Sequence, residues 1–172
     1  MLITRLSAAA LFAFICASAH AQDKPTDAQI AHIAYTAGVI DIDNAKLALK
    51  MSKAAPVRAF ANDMMRDHSA VNDKALALVK KLKVTPEDND TSRSLVKQAV
   101  DTRQSLSMLN GDAFDKAYVE NEVAYHKTVN GALETVLIPD ASNGELKTLL
   151  QTGLKIFQGH EQHAEHLAAS LK

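Results

Sequence analysis

Cysteine occurs once in the 172 residues, at Cys16, and tryptophan does not occur at all. A chain this poor in thiols has no disulfide framework and no cysteine-based zinc site. Aromatic residues are 5% of the total, which disfavours an all-β core built from large flat side chains. With only four prolines and six glycines there are few breaks, so long uninterrupted helices are permitted. Charge of one sign is also missing. The 19 basic residues, Arg5 among them, face 20 acidic ones, and no basic patch or stripe marks a nucleic-acid footprint.

The opening "MLITRLSAAALFAFICASAHA" carries Arg5, an apolar run from Ala8 to Ala17 and the small-x-small ending Ala19-His20-Ala21. This is the layout of a secretory signal peptide cleaved after Ala21, with residues 22–172 as the mature domain. The run is too short for a permanent membrane anchor. Cys16 falls inside the leader, and Phe14-Ile15 before it do not suit a lipoprotein signal. A periplasmic or secreted location is therefore expected, with no transmembrane segment in the mature protein.

Helical periodicity marks four long amphipathic segments. The first runs from about Thr26 to Met51, with Ile30, Ile33, Ala37, Ile40 and Ala48 in phase. A second restarts at Pro56 and reaches about Lys83 on Val57, Phe60, Met64, Val71 and Leu78. A shorter helix, from about Thr91 to Met108, precedes "NGD", where Asp112 offers an N-cap. The next long helix carries Val119, Val129, Leu133 and Val136 and is expected to end before Pro139; the last spans about Asn143 to Leu171. The fold class is all-α: an antiparallel four-helix bundle of ferritin-like type, with a short extra helix in the long crossover.

Polar residues interrupt the apolar stripes. Asp41 and Asn44 lie on the inward line of the first helix, His68 between Met64 and Val71, Glu122 and His126 between Val119 and Val129, and His160 between Phe157 and Ala164. Asp41 stands about 13 residues before the break near Ala54 and His68 about 14 after it, so an antiparallel hairpin brings them abreast. Glu122 and His160 are about 15 and 17 residues from their own turn, an offset of about 3 Å. Five groups, Asp41, His68, Glu122, His126 and His160, are thus expected to converge. Unpaired they would cost several kcal/mol each, so they must satisfy one another or hold a cation. Imidazole with carboxylate suits zinc, iron, manganese or copper. The alternative is a hydrogen-bonded layer without metal, in a module that docks an envelope partner or forms a homo-oligomer.

His163 is expected at a solvated rim, with His166 and His32 on the surface. Tyr118 reads as a packing residue with its hydroxyl bonded, Asp115 as an acceptor for the free N–H groups of its helix's first turn, and the Met64-Met65 pair as core filling.

The runs "GVIDIDNAKLAL", "VRAFANDMMRDHSAVNDKAL", "FDKAYVENEVAYH" and the histidine closing "LKIFQGH" resemble the exported bacterial family known as domain of unknown function 4142. The patterns that carry the likeness are F-A-x-x-M-x-x-D-H and F-D-x-x-Y-(x)7-H. The resemblance implies a ferritin-like exported bundle with inward histidines at His68, His126 and His160, and no assigned activity. Asp41 stands where the family often has glutamate. No Glu-x-x-His spacing occurs, which argues against a di-iron oxidase, and no catalytic residues are expected.

Overall fold

The structure, a computed structural model, describes residues 24–171. The expected leader, with Cys16 and the cleavage point after Ala21, lies outside the described residues. Helices are α1 (Asp27–Met51), α2 (Ala55–Leu82), α3 (Asp90–Ser107), α4 (Gly111–Ala132), a π-helical turn (Leu133–Leu137), the short α5 (Ile138–Asp140) and α6 (Gly144–Ser170).

Local chemistry explains most of these boundaries. Thr26 and Gln29 form a reciprocal capping box at the start of α1, and Asn89 and Ser92 do the same for α3. Pro56 sits in the first turn of α2, where its missing N–H leaves nothing unsatisfied. Lys83 ends α2 in the left-handed region at φ 54°. Asn143 caps α6 by accepting from the N–H groups of Glu145 and Leu146.

Two boundaries differ from the sequence expectation. Asp112 is not the cap of α4. Gly111, at φ 57°, turns the chain into the helix one residue earlier, placing Asn110 at the cap position and Asp112 in the first turn. At the other end the helical path continues through Pro139. The Ile138 N–H bonds back five residues to Leu133, and this wider turn accommodates a proline that would disrupt a regular α-helix. The wider turn also shifts the phase of the stripe. Leu137 is buried, whereas Val136, expected inward, is 40% exposed.

α1 and α2 form one antiparallel hairpin, α4 and α6 the other, and α2 lies against α6. The crossover returns along the length of the bundle. Its beginning is tied to the start of α1, where Glu87 N–H donates to Ala28 and the Asn89 amide to Gln29. Its end brings Leu106 beside Ala48 and Phe60. This is ferritin-like connectivity, with α3 running parallel to α1 as the extra helix. The Asp27 carboxylate also accepts from the Ser142 and Asn143 N–H groups at 2.8 and 2.9 Å, clasping the turn before α6 to the start of α1.

The apolar interior falls into two lobes. One gathers Ala48, Phe60, Met64, Phe114, Tyr118 and Leu167 near the α1–α2 turn. The other gathers Ile30, Ile33, Leu133, Leu146, Leu150 and Phe157 toward the far end. Each fully buried side chain of this size contributes about 1.5–3 kcal/mol, so both lobes hold the bundle. A polar layer lies between them.

Candidate metal centre

Asp41, His68, Glu122, His126 and His160 are all buried, and their side chains meet in that layer. His68 Nε2 lies 3.3 Å, and His126 Nε2 3.5 Å, from Asp41 Oδ2. Ligand atoms of His68, His126 and His160 fall within 4.8 Å of one another, as do those of Asp41, Glu122 and His126. His126 belongs to both sets.

Neighbouring contacts fix two of the rings. His126 Nδ1 is 2.9 Å from the Glu122 carbonyl, so it carries the proton and donates; Nε2 keeps its lone pair. His160 Nε2 is 3.0 Å from Asp67 Oδ2, which leaves Nδ1 as the free nitrogen. His68 is held in plane by stacking on Phe157, with centroids 4.3 Å apart and planes 3° from parallel.

The free atoms have no partners. Both oxygens of Asp41, both ring nitrogens of His68, Nε2 of His126, Nδ1 of His160 and Oε2 of Glu122 are buried without a hydrogen bond. Although His68 and Asp41 stand at ion-pair distance, neither is aligned for a hydrogen bond, and burial opposes charge on both. Burial pushes the Asp41 carboxyl up to about 8 and Glu122 well above its ordinary range, the latter helped by Asp41. Burial pushes His126 down to about 4, and burial with the neighbouring His126 and His160 pushes His68 well down. The metal-free layer is therefore neutral near pH 7, and its polar atoms face one another unsatisfied.

Such a donor set fits a transition-metal ion. Donors about 2.1 Å from a tetrahedral ion stand roughly 3.4 Å from one another. The two imidazole-to-Asp41 separations already have that spacing.

The level counting of Asp41 against His68 agrees with the structure. On the other hairpin it is His126, not Glu122, that comes abreast of His160, with ring centroids 5.6 Å apart. Side chains lean toward the N-terminus of their own helix. In antiparallel α4 and α6 that lean carries the His126 ring away from the turn and the His160 ring toward it. Glu122 sits beside Asp41, with the Asn121 amide donating to Oε1 at 3.4 Å. Asp67, a partner of the site, was not singled out from sequence. Its signal was the acidic residue immediately before His68 in the D-H pair.

Among the other expectations, Met64 is fully buried, and His163 and His166 are exposed, His163 resting edge-on against Phe60. His32 is half-buried rather than a surface residue, with Nδ1 enclosed and unpartnered, because α1's start is covered by the crossover. Tyr118 packs in the core, but its hydroxyl and Asp115 Oδ1 find no hydrogen-bond partner. Both lie on the inward face of α4, so Asp115 does not serve its first turn.

The fold and this layer define a class: a helical bundle whose core is divided by buried imidazoles and carboxyls. The chain belongs to the family described as "Domain of unknown function (DUF4142)", whose model matches residues 16–167. No curated protein matches it. Two crystal structures share the fold. One is a DUF305 protein from Streptomyces coelicolor, provisionally called secreted, with 12% identity, TM-score 0.71, and coverage of 84% of this chain and 93% of that one. The other is a DUF305 fragment from Deinococcus radiodurans, with 14% identity, TM-score 0.73, and coverage of 84% and 95%. Among the described residues no helix is long and apolar enough to cross a membrane.

Proposed function

We propose that this is an exported, non-enzymatic protein that binds one transition-metal ion in the bundle interior and serves metal or envelope-stress handling. Export rests on the leader-like residues 1–21. His68, His126, His160 and Asp41 are the ligands, and Glu122, meeting Asp41 and His126 in the overlapping set, is a fifth donor. Zinc, iron, manganese and copper all accept such nitrogen and oxygen donors.

One observation carries this reading: seven buried polar atoms from four helices lie in one layer without hydrogen bonds, and ligand atoms of these residues gather in two triads that share His126. A layer that served only to fix helix register would pair its own donors and acceptors, because each orphaned group costs about 1–3 kcal/mol. This layer leaves them unpaired.

The test is elemental analysis of protein recovered from the periplasm. About one metal per chain is expected, and His68→Ala and His160→Ala should each lose it. Metal-free protein whose melting temperature does not respond to zinc, iron, manganese or copper would overturn the reading.

A further inference from the structure

Beside the polar layer lies an internal chamber of about 180 Å³. Small residues from four helices create it: Ala31, Ala37 and Gly38 of α1, Ala75 of α2, Ala132 of α4 and Gly153 of α6 all line the same space. Close-packed interiors hold few voids larger than a water molecule, so a hollow of this size, bounded by four elements at once, is more than one ill-fitting side chain. The π-helical turn adds Leu133 and Leu137 to the wall, and such turns recur at functional sites. Leu78 of α2 and Leu149 of α6, both half-buried, line the chamber and also a solvent-facing groove between these two helices, so displacement of their side chains opens a path inward.

We infer that this chamber binds one uncharged, apolar molecule about the size of a single hydrocarbon ring. Volume sets the size, since a hydrophobic cavity of about 150 Å³ takes up benzene. The wall sets the chemistry. Asp41, His68 and His126 border one end, but their unpartnered oxygens and nitrogens are enclosed and offer an occupant no hydrogen bond. The Tyr125 hydroxyl donates to the Ala37 carbonyl at 2.8 Å and the Asn72 amide to that of Tyr35 at 3.4 Å, so both are already engaged. No lysine or arginine lines the chamber among the described residues, and an anion would lack a counter-charge. Water is a poor occupant for the same reason, because a buried water needs several polar partners. An apolar guest gives up no hydrogen bonds on leaving solvent and supplies the dispersion contacts that a bare wall lacks.

This inference uses the carbon wall and none of the proposed ligand atoms, so it stands with or without an ion. The experiment is calorimetric titration of the mature chain, as purified and after chelation, with toluene, phenol and benzoate. Saturable one-to-one binding of toluene is expected in both forms. Phenol should bind at least tenfold more weakly, because its hydroxyl leaves water without finding a partner, and benzoate should not bind. Ala31→Leu and Ala37→Leu enlarge buried side chains of the wall and should each weaken toluene binding at least tenfold in protein that still melts cooperatively. Absence of saturable toluene binding in both forms, phenol or benzoate binding as tightly as toluene, or toluene binding unchanged in a folded variant would each overturn the inference. Should neither variant fold, the order of toluene over phenol in the parent decides it. Metal content is measured on the same samples. A chain that takes toluene but no metal sinks only the metal reading, and a chain that holds metal but no toluene sinks only this one.

Discussion

His160 Nε2 and Asp67 Oδ2 are 3.0 Å apart, joining α6 to α2 at the edge of the polar layer. The contact assigns the ring's proton to the nitrogen facing outward and turns the free Nδ1 into the cluster. Asp67 is held in turn by Arg66, whose hydrogen bonds come first among the influences that lower the Asp67 carboxyl below its ordinary value. Outer carboxylates of this kind orient imidazole ligands and strengthen their basicity.

Asp67→Asn is therefore expected to weaken metal binding about 10- to 100-fold, measured by competition with a chelating dye. Helix content by circular dichroism should not change, because Asp67 is not part of either apolar lobe. Unaltered affinity would show that His160 needs no such support.

Asp41→Asn removes the acid common to both short imidazole contacts. The variant is expected to bind metal at least tenfold more weakly. At pH 8 its metal-free form should nonetheless be more stable than the parent, because a neutral amide has no charge to bury. Chemical denaturation of both proteins after chelation checks the sign.

The pH dependence of the metal-free protein follows from the same groups. Asp41 titrates at about 8 when folded against an ordinary 3.8, so its contribution is full below 3.8 and is lost as pH rises toward 8. Glu122 acts in the same direction. His126 titrates at about 4 against 6.5, so its contribution is full above 6.5 and is lost as pH falls toward 4. The two oppose each other below pH 6.5. From about pH 7 to 8 the imidazoles are largely neutral in both states, the carboxyl contribution is the one being lost, and the melting temperature should fall. Added metal should gain effect over that interval, since its ligands must be deprotonated. A metal-free melting temperature that rises from about pH 7 to 8 would contradict this account.

Gly38 permits the close approach of α1 and α2 next to the chamber. A Cβ there would collide with the Asn72 side-chain amide, which donates to the Tyr35 carbonyl at 3.4 Å. Gly38→Ala should cost about 1–3 kcal/mol by denaturant melts. Combined with Asn72→Ala it should cost less than the sum of the single changes, because the obstructing amide is gone.

Much of this molecule could be read from residue order alone. Four periodic stripes with short turns required a bundle, and polar residues on those stripes marked where the core must be polar. The levels of Asp41 and His68 followed from counting outward from one tight turn, because a regular helix rises a constant distance per residue. The same counting erred at Glu122. It ignored the lean of side chains along a helix, and the helix itself did not stop at Pro139 as periodicity and proline chemistry suggested.

Helical periodicity thus determined the fold class, the inward direction of Asp41, His68, Glu122, His126 and His160, and the scarcity of other chemistry. Only the tertiary structure decided that Asp67 would meet His160, that Phe157 would stack on His68, that the π turn would bury Leu137 in place of Val136, and that a chamber would remain beside the polar layer. Direction on a helix is a local property of spacing, legible in one segment. Contact between helices depends on how several of them lean, shift and pack at once, and no single segment carries that information.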